Sequence, residues 1–158
     1  MKQFFFLATL IFFSIASFSQ TFEYQTVTVI ESIIPSGLGR SRMISADPEA
    51  RDFEDFTSER SEEDDNRNKS SRREIRLKDF EETKLLNFFN VAGIRFQNIA
   101  SNDAVVTSKI NAMAEAGWEL AFVNSGVESF SGDGDSNGIY VTRYIFKRHK
   151  ANSETAKD

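Results

Sequence analysis

The chain has 158 residues, a formal net charge of −5, 40% hydrophobic residues and no cysteine. A mildly acidic balance argues against nucleic-acid binding, which needs a basic footprint. The missing thiol excludes disulfides, thiolate metal sites, a cysteine nucleophile and a lipid anchor on an N-terminal cysteine.

Residues 1–19 have the form of a secretory signal peptide. Lys2 precedes an uncharged, phenylalanine-rich run over residues 4–18, too short for a membrane-spanning helix, which needs about 20 apolar residues. Ser17 and Ser19 supply the small side chains a signal peptidase requires, so the expected cut follows Ser19 and frees Gln20. A cut after Gln20 is the alternative. Without Lys2 the remainder is more acidic by one charge. No second apolar run follows, so the expected product is secreted or periplasmic, with residues 20–149 as a single domain and residues 150–158 as a polar tail.

Residues 22–34 read as a strand, because Phe22, Tyr24, Thr26, Val27, Thr28, Val29 and Ile30 are aromatic or β-branched. Pro35 and Gly37 end it: proline cannot donate to a ladder, and glycine frees the backbone. The loop Ser36-Gly37-Leu38-Gly39-Arg40-Ser41-Arg42 follows. Arg40 and Arg42 are candidate anion contacts there, since guanidinium groups and bent backbone amides suit an oxyanion. Arg42 stands where a dinucleotide fingerprint has its third glycine, so the loop is not that motif. The plainer reading is a connection into the next segment.

Residues 45–73 hold ten Asp and Glu against six Lys and Arg, and no apolar side chain occurs over residues 58–73. Such a stretch buries too little surface to offset its ordering entropy, so a disordered acidic insertion is expected over about 45–73. Residues 80–99 suit two readings. Asp79-Phe80-Glu81-Glu82 resembles a capping box before a helix, while residues 84–90 also suit a short strand, with a second strand over 94–99.

The spacing of Val106, Ile110 and Met113 predicts a helix over residues 103–116, capped by Asn102 or Asp103 and closed by Gly117. Residues 118–123 then alternate as a strand, with Trp118, Leu120 and Phe122 on one side. Trp118 reads as core packing between helix and sheet rather than a ligand-stacking ring. Residues 139–147 form the last strand. The polar loop between them contains Asp133-Gly134-Asp135-Ser136-Asn137-Gly138. Asp133, Asp135 and Asn137 match the first half of a calcium loop, with Gly138 at the turn. Position 12 of that motif is Tyr144 instead of Glu, and the ordinary reading is an exposed hairpin connection.

A helix ending on Ala114-Glu115-Ala116-Gly117-Trp118-Glu119-Leu120, a final strand closing on Phe146-Lys147-Arg148 and the start Phe22-Glu23-Tyr24-Gln25-Thr26-Val27 resemble a family of small bacterial domains of unknown function. The resemblance covers about residues 21–34 and 100–149. It implies a strand, a helix and then a hairpin, with residues 35–99 and the long hairpin loop as additions. It implies no activity, cofactor or catalytic residue.

Enzyme signatures are absent from the sequence: there is no HExxH, no GxSxG and no phosphate-binding GxxxxGK[ST]. His149 stands alone in a basic end, Lys147-Arg148-His149-Lys150, and reads as solvated. Asn68-Lys69-Ser70 fits a glycosylation acceptor, which is irrelevant if the source is bacterial, as the resemblance implies. The expected fold is α+β, a small antiparallel or mixed sheet packed against the helix of residues 103–116. The expected function is an exported, non-enzymatic module that binds an unknown protein or envelope component and needs no cofactor. The alternatives are a calcium-stabilised extracellular module and an unrecognised hydrolase.

Overall fold

The computed structural model describes residues 21–32, 41–63, 67–90, 93–128 and 138–150. The expected signal peptide, Arg40, Asp133, Asp135, Asn137 and the tail beyond Lys150 lie outside the described residues. The chain divides into two compact units. In the smaller, Met1–Glu23 with His149–Asp158, Lys150 N donates to Thr21 O at 2.9 Å and the rings of Phe22 and His149 lie 4.5 Å apart. The larger is Tyr24–Arg148.

The strands are β1 (Phe22–Ser32), β2 (Arg42–Ser45), β3 (Glu81–Lys84), β4 (Phe89–Asn90), β5 (Gly93–Ile94), β6 (Glu119–Glu128) and β7 (Ile139–His149). The helices are a single turn, α1 (Arg72–Ile75), and the main helix α2 (Phe96–Glu115). Five strands make an antiparallel sheet in the order β3-β2-β1-β7-β6, and β4 pairs with β5. The architecture is α+β, a small sheet packed against one main helix, as the sequence pattern predicts.

Period-two alternation decides the buried face of β1. Val27 and Val29 are each 2% exposed, while Thr28 and Ile30, which alternate with them, face the other side. The β1–β2 register places Val29 opposite Met43, so both feed the same core. On α2, Val106 and Met113 are buried and Ile110 is partly buried, one stripe at helical spacing. Leu85, Trp118 and Phe146 complete the cluster, with Phe146 1% exposed near its centre. Fully burying side chains of this size stabilises by about 1.5–3 kcal/mol each.

Strands β7 and β6 lie on one side of β1, and β2 and β3 extend the sheet on its other side. Those two strands bracket the acidic stretch. Its described residues are mostly exposed, yet they carry a 3₁₀ turn (Glu54–Phe56) and α1, which Ser71 and Glu74 cap reciprocally. The stretch folds back on itself. Asn68 N donates to Ser58 Oγ at 2.6 Å and Asn68 Nδ2 to Asp55 O at 2.8 Å. Arg51 reaches Glu74 O at 3.0 Å and Arg76 O at 3.2 Å.

Two sequence expectations need correction. The main helix begins at Phe96, seven residues before 103, so residues 96–99 are helical and no strand runs over 94–99. The apolar residues that suggest a strand there are not core: Phe96 is 77% exposed. Arg95 N donates to Phe88 O at 2.8 Å and Asn98 Nδ2 to Asn87 O at 2.8 Å, which pins the first turn without a side-chain cap on Arg95. The open question over residues 80–99 resolves into β3, β4, β5 and the start of α2. Second, a β-bulge at Ala121 breaks the alternation after Trp118. Leu120 pairs with Phe146 and Phe122 with Ile145, so Leu120 and Phe122 lie on opposite faces.

Candidate functional site

Strand β6 is launched from the end of α2 by a Schellman turn. Gly117 adopts φ +81°, its N–H donates to Ala114 O at 2.9 Å, and Trp118 N donates to Met113 O at 2.9 Å. The paired side chains Met113 and Trp118 are both in the core. The Arg148 guanidinium lies 4.3 Å over the Trp118 ring and covers it, in keeping with a packing role for that ring.

From there β6 runs ten residues, hydrogen-bonded to β7 from Glu119↔Lys147 to Glu128↔Ile139. It is the last strand in the sheet order, so its outer backbone edge has no neighbouring strand among the described residues. Between Glu119 and Glu128 it reads Leu-Ala-Phe-Val-Asn-Ser-Gly-Val, with neither a charge nor a proline. Phe122 is 63% exposed, and Val123 and Val127 are also exposed. The opposite edge contrasts with it. Strand β3 has four residues, three of them charged, and two of the charges are paired: Glu82 with Arg42 at 2.7 Å and Glu81 with Lys109 at 2.6 Å. Short strands and charges discourage edge-to-edge pairing, and β6 has neither safeguard along its middle.

The two faces of the hairpin differ. Val123 and Val127 stand opposite Tyr144 and Tyr140 on the helix side of the sheet. Phe122, Asn124 and Gly126 stand opposite Ile145, Arg143 and Val141 on the other. Ser125 and Thr142 hydroxyls meet across the ladder at 3.1 Å.

A second cluster is buried at the end of β1. Asn102, 2% exposed, donates to Glu31 Oε1 and to Leu86 O, each at 2.8 Å, and accepts from Leu86 N at 2.8 Å. Ser41 Oγ donates to Asn87 Oδ1 at 2.8 Å and accepts from Ser32 N at 2.9 Å. Burial pushes the Glu31 carboxyl up, opposed by the Asn102 hydrogen bond and assisted by the nearby Asp103 charge. Burial also raises the Tyr144 phenol, with Glu31, Asp103 and Tyr140 adding to it. The polar atoms of Asn102 are all engaged with protein groups, so the cluster acts as a latch between α2, β1 and the chain at Leu86.

Of the residues singled out from sequence, Arg42 is described. Its Nε meets Glu82 Oε1 at 2.7 Å and a terminal nitrogen meets Ser41 O at 2.8 Å, so its charge is engaged within the sheet. Sequence reasoning missed the latch, because Asn102 looks like a helix cap. It also passed over the β6 edge, although the uncharged run framed by Glu119 and Glu128 is visible in the sequence. Among the described residues no group of three or more His, Asp or Glu is placed to hold a metal ion, and no helix is long and apolar enough to cross a membrane. No family model, no curated protein and no solved structure matches the chain.

Proposed function

We propose that this chain is an exported, non-enzymatic binding module, secreted or periplasmic, and that β6 takes up an extended segment of a protein partner by strand pairing. The observation that carries the reading is the β6 edge: ten residues long, uncharged over its middle eight, with Phe122, Val123 and Val127 exposed. An unpaired strand edge offers a row of backbone donors and acceptors, and pockets between alternate side chains add selectivity. The signal-like N-terminus supports the location. The absence of recognised enzyme signatures in the sequence supports a binding role.

Charge defines the occupant. Glu119, 72% exposed at its side chain and 3.5 Å from Lys147 Nζ, and Glu128 bracket the uncharged run. They stand nine strand steps apart, about 30 Å. A matching segment alternates apolar residues and ends in Lys or Arg on both sides. A second copy of the chain fits poorly, because antiparallel pairing about the middle of β6 sets Glu119 against the copy's Glu128, and like charges directly opposite are destabilising.

The test is titration of the protein with a ten-residue alternating Val/Thr peptide that has lysine at both ends, followed by backbone amide shifts. Saturable shifts confined to β6, lost with glutamate-ended peptide, and a preference between the two peptides that is cancelled by Glu128→Lys, are expected. Absence of shifts, or shifts that ignore the peptide's end charges, overturns the reading. Concentration-dependent dimerisation through β6 overturns the choice of occupant.

A further inference from the structure

We propose that the loop bracketed by β2 and β3 holds an oxyanion site, formed by Arg73, Arg76 and Lys78 around a cavity of about 540 Å³. This is independent of strand pairing at β6, which belongs to another edge of the sheet. The site accepts a tetrahedral anion of two charges, phosphate in chemical class.

The sequence concentrates positive charge there. Residues 67–78 contain Arg67, Lys69, Arg72, Arg73, Arg76 and Lys78 against Glu74 alone, within a chain of net charge −5. The fold makes the concentration concave. Ala50 and Arg51 form one wall, and residues of the span from Ser71 to Asp79 form the other. Arg51 fixes this shape, since its guanidinium donates to the carbonyl oxygens of Ala50, Glu74 and Arg76. Its hydrogen bonds go to neutral groups, so its positive charge stays uncompensated in the wall.

The other cations are free to act on a ligand. Arg73, Arg76 and Lys78 make no ion pair and no side-chain hydrogen bond among the described residues. The one acid on α1, Glu74, is turned to the backbone N–H of Ser71 in the capping box. Asp79 is the remaining acid on the wall. Four cations against two acids leave a positive cavity whose like charges repel when it is empty. A dianion relieves that repulsion, and arginine forks bind tetrahedral oxyanions with two parallel hydrogen bonds. The volume suits a phosphate group carried by a small molecule.

The experiment is calorimetric titration with inorganic phosphate and, separately, glucose 6-phosphate, on the parent, on Arg73→Ala with Arg76→Ala, and on Arg67→Ala as a control off the cavity wall. Both exchanged arginines are exposed, and thermal melting of the double variant verifies that it stays folded. The expected result is millimolar binding by the parent and the control, at least tenfold weaker in the double variant and weakened by added salt. Tighter binding of the sugar phosphate by tenfold identifies an ester as the source, and equal binding identifies the free anion. Equal affinity in parent and double variant, or no heat with either probe at tens of millimolar, overturns the site.

Discussion

Asn102 holds Leu86 by both of its backbone groups, accepting from Leu86 N and donating to Leu86 O, each at 2.8 Å. An asparagine side chain carries the same donor and acceptor pair as a peptide unit, so α2 does here what an adjoining strand does elsewhere. Asn102→Ala removes that partner from a backbone position next to the core residue Leu85. An expected loss of about 2–3 kcal/mol follows from stranding the buried groups. Urea unfolding checks it, with the midpoint falling and the slope unchanged.

The raised Glu31 carboxyl sets a pH dependence. Burial comes first among its causes, Asn102 opposes it, and Asp103 reinforces it. The folded state therefore holds the Glu31 proton more tightly than the unfolded state. The stability this adds is fully present below the unfolded pKa and is lost as pH rises through the folded one. Glu31→Gln retains an oxygen for Asn102 Nδ2 and removes the charge. Its melting temperature is expected to gain on the parent's between acid and neutral pH. A gap between the two melting curves that is the same at pH 4 and pH 7 contradicts the assignment. Removing Glu31 also takes away one of the charges that raise Tyr144, so the Tyr144 phenol titrates lower in the variant by ultraviolet absorbance.

At the helix end, strain and packing separate cleanly. A Cβ added to Gly117 meets no atom within 4 Å, yet φ is +81°. Gly117→Ala is therefore expected to cost about 1–2 kcal/mol, from backbone conformation alone. Trp118→Ala empties part of the core and is expected to cost about 3–5 kcal/mol. Arg148→Ala loses a ring contact at the surface and is expected to cost about 0.5–1 kcal/mol. Denaturant midpoints of the three variants give the order directly.

Charge on the β6 edge makes a further test. Val123→Lys places a cation in the middle of the uncharged run on an exposed position. Stability is expected to change by less than about 0.5 kcal/mol, since the substitution is at the surface. Uptake of the lysine-ended peptide is expected to fall at least tenfold by the same amide-shift titration. A large loss of stability with unchanged peptide uptake contradicts the surface assignment.

What the sequence made legible is what local chemistry decides. Gly117 closes the helix, Trp118 enters the core, Val106, Ile110 and Met113 share one stripe, and the last two strands form a hairpin. What escaped depends on partners distant along the chain. Strand β2 reads Arg-Met-Ile-Ser and β3 reads Glu-Glu-Thr-Lys, too short for any period. They are strands because each finds the other and β1. Asn102 has the chemistry of a cap, but the helix begins six residues before it at Phe96, and its side chain is taken up by Leu86, sixteen residues earlier. The bulge at Ala121 likewise leaves no mark on the alternation of Trp118, Leu120 and Phe122.

Ser45 and Glu81 face each other across the β2–β3 ladder, and Ser45 Oγ donates to Glu81 Oε2 at 2.7 Å. Everything between them leaves and re-enters the sheet one strand spacing apart, about 5 Å. The junction is thus a splice point. A segment of any length and character can be carried there like a tool on a socket, since loop closure becomes only slowly costlier with length. The segment can change in length and character while the sheet and helix that hold the socket stay as they are.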